Sequence, residues 1–194
     1  MTQSTQAPAD SVALANQLVD RLIGLVDDGV ATPILLIDGR AGSGKSTLAD
    51  LVQRGYFKLG DSLPRVIHMD DLYQGWDGLE AGADYLNRFV LGPLKRREGA
   101  SWQEWDWSAD ERSGQWREFR GGTPLIIEGC GALNGISSES ADVRVWLEVP
   151  EDLRHERWVA REGNDEFFGR WAAQEVEFYA REKSAELADI TAGS

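Results

Sequence analysis

One cysteine, two histidines and no run of 18 apolar residues are found in this 194-residue chain, and each shortage excludes something. A single cysteine, Cys130, cannot form an internal disulfide and fits a reducing compartment. His68, His155 and Cys130 have no neighbours at the spacing of a zinc site. Without a long apolar run there is no candidate membrane span. The first ten residues lack the basic and apolar stretches of a signal peptide, so a cytoplasmic protein is expected. Positive charge is also scarce: 20 Lys and Arg face 33 Asp and Glu, a formal net charge of −13. That balance predicts no general affinity for nucleic acid or acidic membranes, both of which need basic surfaces. It leaves an anionic small ligand open, because a few local cations suffice for one. The sequence carries no signal for oligomeric state.

At this length, with 42% hydrophobic and 27% charged residues, the chain suits one α/β domain over 1–194. Residues 1–9 read as a flexible tail, 74–122 as a substrate-binding insertion and 150–170 as a lid region. Gly39-Arg40-Ala41-Gly42-Ser43-Gly44-Lys45-Ser46 is G-x-x-x-x-G-K-S, the phosphate-binding loop or Walker A motif. Its glycines let backbone N–H groups converge on phosphate oxygens. Gly39, Ala41, Gly42, Ser43, Gly44, Lys45, Ser46 and Thr47 are therefore the expected nucleotide contacts. Lys45 reaches the terminal phosphates and the Ser46 hydroxyl is a ligand for Mg²⁺. The context fits: 33–38 reads as a buried strand and 45–54 as a helix whose N-terminus attracts an anion. Because such a loop is exposed, the sequence predicts that Lys45 is replaceable at little cost in stability.

Apolar spacing over 10–28 predicts an amphipathic helix. A strand is expected over 65–70, a helix from about 80 to 91 with 94–97 as its extension, and a β-ribbon around 101–108, where Trp102, Trp105 and Trp107 alternate with polar residues. Further strands are expected at 125–128, 143–149 and 188–191. Helices are expected from Pro150 to Arg161 and over 167–185. Apolar strands alternating with helices argue for a parallel sheet covered on both faces.

In such a sheet, ligands bind at the carboxyl ends of the strands. Three of those ends carry useful groups: the phosphate loop, Asp70-Asp71 and Glu128. Asp70 is the candidate base for an acceptor hydroxyl, and Glu128 a candidate oxygen ligand for Mg²⁺. Arg154, Arg157 and Arg161, at i, i+3 and i+7, share a helix face beside Gly163-Asn164, which suits a closing lid that brings arginines to phosphates. The competing reading pairs them with Glu151, Asp152, Glu156 and Glu162. His68 reads as a hydrogen-bonded core or strand-edge residue, Cys130 as a small packing residue, and Trp146 and Trp158 as core. Trp105 or Trp107 can line a pocket, with Asp106 between them.

Four pieces in order resemble the uridine kinase-like branch of the P-loop kinases, over about 33–191: the phosphate loop, Asp70-Asp71-Leu72-Tyr73, Trp105-Asp106-Trp107 and Ile126-Ile127-Glu128-Gly129. The resemblance implies a P-loop kinase fold with a parallel β-sheet, helices on both faces, a small substrate-binding insertion and a helical lid. It implies ATP and Mg²⁺, Asp70 as catalytic base, and Lys45, Arg157 and Arg161 as catalytic cations. It also implies Tyr73, Trp105, Asp106 and Arg154 on the acceptor side, with Ser46 and Glu128 at the metal. Two features depart from it. No histidine follows the aromatic motif, where Ser108-Ala109-Asp110-Glu111-Arg112 stands, and the lid is short and lacks the usual basic run. The acceptor therefore stays open among nucleosides, sugars and small acids. A nucleotide-binding regulatory ATPase is the alternative of a different class.

Overall fold

A computed structural model of the chain describes residues 9–59 and 62–193. Apart from Ala9, the expected tail over 1–9 lies outside the described residues. The elements run α1 (Ala9–Asp27), β1 (Ile34–Gly39), α2 (Lys45–Leu59), β2 (Arg65–His68), α3 (Leu79–Leu86) and α4 (Gly92–Lys95). The hairpin strands β3 (Ala100–Asp106) and β4 (Glu111–Phe119) follow, then β5 (Leu125–Glu128), α5 (Gly135–Ser138) and β6 (Val143–Glu148). The last stretch is α6 (Glu151–Glu162), α7 (Phe168–Glu182), α8 (Ser184–Leu187) and β7 (Ile190–Gly193).

Five strands form one parallel sheet in the order β2-β5-β1-β6-β7. Side-chain alternation along β1 divides the interior in two. Leu35 and Ile37 pack with α1 and α2 through Leu18, Leu22, Leu48 and Val52. Ile34 and Leu36 pack on the opposite face with Leu79, Leu86, Trp158, Trp171 and Phe178. Both faces are thus covered, which is why the strands read as continuous apolar runs rather than alternating ones.

Several boundaries differ from the sequence reading for local reasons. Helix α2 runs five residues beyond 54, to Leu59, because Gly55 is a point of close approach and not a stop: a Cβ there would stand 3.0 Å from Val19 Cγ2 of α1. The strand expected over 65–70 ends at His68, and Met69–Asp71 turn as a 3₁₀ segment. Gly92-Pro93 does not end the helical run. A π-helical turn at Asn87–Leu91 leads into α4, with Pro93 in its first turn, where a missing N–H costs nothing. Pro150 is the N-cap of α6 and not its first residue. The ribbon is the β3–β4 hairpin, and its register shifts between Gln103 and Trp105.

Candidate active site

Strand order places the site. β5 lies between β2 and β1, with His68 and Ile37 both opposite Glu128. The phosphate loop after β1, the Met69–Asp71 turn after β2 and Glu128 at the end of β5 therefore meet at one sheet edge. They line a cleft of about 710 Å³, within the usual range for small-molecule sites.

The loop has the shape its glycines imply. Gly39 has φ +146° and Gly42 φ +81°. A Cβ on Gly39 would come 2.5 Å from the Leu147 carbonyl oxygen, and one on Gly42 would collide with the backbone of Arg154. The loop enters α2, whose first amides have no intrahelical partner by geometry. Gly44, Lys45, Ser46 and Thr47, which carry those amides, line the cleft. Such an arrangement is an anion cradle.

Lys45 is 7% exposed, and its Nζ donates to the carbonyls of Gly39 at 2.8 Å and Arg40 at 3.0 Å. Burial lowers its pKa, but Cys130, Glu128, Asp38 and Glu175 around it outweigh burial and hold it above the usual lysine value. The sequence expectation of an exposed, cheaply replaced lysine is corrected here: it is a buried cation set among acids. Asp38 sits beneath the loop and is fully buried. Its carboxylate accepts from the N–H of Gly39, Gly131 and Leu133 and from the Tyr179 hydroxyl, tying the loop after β5 to the phosphate loop. Burial pushes its carboxyl up to about 6.

Ser46 Oγ donates to Glu128 Oε1 at 3.0 Å, and His68 Nδ1 lies 2.6 Å from the same oxygen. A hydroxyl and a carboxylate converging at the phosphate cradle are the hard oxygen donors that Mg²⁺ takes, so the residues present fit that ion. Asp70 opens onto the cleft. Desolvation there, then repulsion from Glu128, hold its carboxyl above the usual range, while Arg161, Lys45 and His68 pull it down.

The far wall is aromatic. Trp76, Trp107, Trp158 and Trp171 all line the cleft. Trp76 stacks flat on Phe167 with ring centroids 4.5 Å apart and meets Trp107 at 5.0 Å. Trp107 is 40% exposed, and its Nε1 donates to the Asp70 carbonyl at 3.0 Å, tying the hairpin end to the Asp70 turn. Arg112 adds a second tie, donating to the Leu72 carbonyl at 2.7 Å. Trp158 is buried as expected, yet it also faces the cleft, and its Nε1 has no hydrogen-bond partner among the described residues.

Four residues expected on the acceptor side lie elsewhere. Tyr73 is buried, and its hydroxyl donates to the Cys130 carbonyl at 2.8 Å. Trp105 packs under Arg112 of the facing strand, while Trp107, in the turn just past the end of β3, lines the cleft. Asp106 is exposed and accepts from the N–H groups of Ser108 and Ala109, capping the hairpin turn. Arg154 is 4% exposed and turned inward, donating to the carbonyls of Val149 and Ala41. Arg157 and Arg161, by contrast, line the cleft. Arg157 donates to the Gly42 carbonyl at 3.2 Å, and Arg161 pairs with Glu162 at 2.7 Å. Sequence reasoning missed Trp76 and Trp171 as cleft residues, since each stands alone in its segment and only the fold brings it to the wall.

No family model matches the chain, and no curated protein matches it in sequence. Solved structures do. One described as a possible uridine kinase from Bacillus stearothermophilus aligns with TM-score 0.63 and 20% identity, covering 90% of this chain and 98% of that one. A chain assigned as a fructose transport system kinase from Silicibacter sp. TM1040 aligns with TM-score 0.60 and 22% identity, covering 94% and 98%. A D-glycerate 3-kinase from Cryptococcus neoformans aligns with TM-score 0.55 and 14% identity, covering 93% and 89%. These likenesses establish the fold: the chain has the uridine kinase-like P-loop kinase fold. No helix among the described residues is long and apolar enough to cross a membrane.

Proposed function

We propose that the protein is an ATP-dependent kinase that phosphorylates a hydroxyl of a small metabolite. The observation that carries the reading is the convergence of the phosphate loop, Asp70 and Glu128 on one cleft whose far wall is four indoles. A nucleotide-binding regulator needs the first and third of these but not a concave acceptor wall beside a carboxylate.

The acceptor oxygen attacks the terminal phosphorus of ATP while its proton passes to the Asp70 carboxylate, and ADP leaves with the bridging oxygen. Lys45 and the first amides of α2 hold the phosphates. Ser46 Oγ and Glu128 would hold Mg²⁺, which would supply neutralisation of the phosphate charge. Arg157 and Arg161 face the space where charge spreads over the transferring group. The indoles favour an acceptor with a flat apolar face. That wall suits a ring-bearing alcohol better than a compact acid. A panel of nucleosides, sugars and small acids, read by ADP release, tests the reading; ADP formation that no hydroxyl compound accelerates counts against it.

Three further outcomes follow from the geometry. First, kcat/KM falls in acid as Asp70 takes up a proton, with an apparent pKa above the ordinary aspartate value of 3.8. Arg161 opposes that elevation, so Arg161→Ala moves the acid limb of the pH–rate profile to higher pH. An unshifted limb places another group in the role of base.

Second, Arg157→Ala and Arg161→Ala each lower kcat by about 10- to 100-fold, the worth of one hydrogen bond to a charged group. They raise the ATP dissociation constant less, because contacts completed in the transition state count there most. Lysine restores activity only in part, since a point charge lacks the planar fork. If the arginines serve only as surface salt-bridge partners, kinetics stay at the wild-type level and only the melting temperature moves slightly.

Third, Trp107→Phe keeps an aromatic face and removes the Nε1 bond to Asp70. The acceptor KM rises several-fold, about the worth of one neutral hydrogen bond, while the KM for ATP does not move. An equal rise in both would place Trp107 outside the acceptor half of the cleft.

A further inference from the structure

Glu175 lies in the middle of α7, outside every motif of the sequence, and none of its surface reaches solvent. Its Oε1 accepts the Ala41 N–H at 2.6 Å and the Cys130 thiol at 3.3 Å. Its Oε2 has no hydrogen-bond partner among the described residues but faces two guanidinium groups, Arg154 Nη1 at 3.8 Å and Arg40 Nη1 at 3.9 Å. Arg154, from α6, donates in turn to the Ala41 carbonyl at 3.3 Å. A single residue of the phosphate loop therefore has its N–H held by an anion from α7 and its C=O by a cation from α6.

The peptide unit is planar, so holding one end of it orients the other. The plane that ends in the Ala41 N–H begins at the Arg40 carbonyl, which accepts both Lys45 Nζ at 3.0 Å and the Ser43 N–H at 3.1 Å. The plane that begins at the Ala41 carbonyl ends in the N–H of Gly42, a residue that lines the cleft. Glu175 thus orients the plane that seats the Lys45 ammonium, and Arg154 orients the plane that aims the Gly42 N–H. A fully buried carboxylate is an expensive way to fill space, since an apolar side chain of similar size would avoid its desolvation. A charged acceptor and a charged donor grip the two sides of Ala41 more strongly than neutral groups would.

We propose that Glu175 and Arg154 are paired positioning residues, which orient the 40–41 and 41–42 peptide planes and, through them, Lys45 and the Gly42 amide toward the phosphates of a bound nucleotide. The proposal rests on the phosphate-binding reading of the loop but not on the identity of the acceptor. The competing account is a buried ion pair that merely fastens α6 to α7.

The test is direct binding of ADP with Mg²⁺, measured by titration calorimetry well below each variant's melting temperature, together with the two KM values in turnover. Glu175→Gln keeps the shape and one acceptor oxygen but removes the charge that faces Arg154. Arg154→Lys keeps a charge near Glu175 but shortens the reach to the Ala41 carbonyl. Each change is expected to weaken ADP binding by about tenfold, as losing one charge-assisted hydrogen bond does. The KM for ATP rises in step, and the acceptor KM stays put. The double variant is expected to lose less than the product of the two single losses, because the two side chains hold opposite sides of the same residue. If Glu175→Gln fails to fold, Arg154→Lys alone decides. Lowered melting temperatures with wild-type ADP affinity in the folded variants overturn the positioning role and leave the kinase reading intact. A wild-type protein that binds no ADP overturns both.

Discussion

Asparagine in place of Asp70 lowers turnover by roughly 10²–10⁴-fold, the range for loss of a general base. The substitution keeps the shape of the side chain, and the bond from Trp107 Nε1 goes to the backbone carbonyl, so the turn should hold its geometry. ATP affinity barely changes if, as proposed, the carboxylate acts on the acceptor and not on the phosphates. The measurement is single-turnover rate and ATP dissociation constant on the same Asp70→Asn preparation. Loss of Mg-ATP binding with a preserved rate at saturation makes Asp70 a metal ligand instead. Asp71, next in the chain, is half-buried and its carboxyl is raised by desolvation and by Glu104. It does not line the cleft, so Asp71→Asn should leave the chemical step within a few-fold of wild type.

Alanine at Lys45 removes the point charge that meets the terminal phosphates, and activity is expected to vanish with most of the nucleotide affinity. It also acts on the fold. Lys45 is buried, and Glu128, Asp38 and Glu175 surround it. Taking the cation away leaves the Gly39 and Arg40 carbonyls without their donor and the nearby acids less compensated, at a cost of about 1–3 kcal/mol or more. A lower melting temperature therefore accompanies the lost activity, and Lys45→Arg recovers stability better than it recovers turnover. Unchanged turnover with saturating ATP in Lys45→Ala contradicts the phosphate-loop assignment outright.

What the sequence displays well is contiguous chemistry. The phosphate loop and Glu128 stand at the ends of continuous apolar strands and Asp70 just past a short one, and the rule that ligands sit at carboxyl ends brings them together from the sequence. Helix period serves less well. It places Arg154, Arg157 and Arg161 on one face, but it cannot say which end of that face is packed. Arg154 at the N-terminal end is sealed against Val149 and Ala41, while Arg161 is exposed beside the cleft. Motif likeness fares similarly at Tyr73, where the hydroxyl serves the Cys130 carbonyl, and at Trp105 and Asp106, where one residue packs under Arg112 and the other caps the turn that ends β3. Trp76, Trp171 and Glu175 had no local signal at all. Each becomes meaningful only through contacts distant in sequence, from 21 positions between Glu175 and Arg154 and 31 between Trp76 and Trp107 to 98 between Trp171 and Tyr73.

The central claim is that this cleft transfers a phosphoryl group to a hydroxyl instead of only binding or hydrolysing ATP. The most direct test follows ADP and phosphorylated product together, with ATP and Mg²⁺, across a panel of nucleosides, sugars and small acids, for the wild-type protein and Asp70→Asn. The account predicts that one class of hydroxyl compound accelerates ADP formation strongly in the wild type, that one phosphorylated acceptor appears per ADP, and that Asp70→Asn loses this acceleration while still binding ATP. A slow ADP release that no acceptor changes, equal in the wild type and in Asp70→Asn, contradicts it.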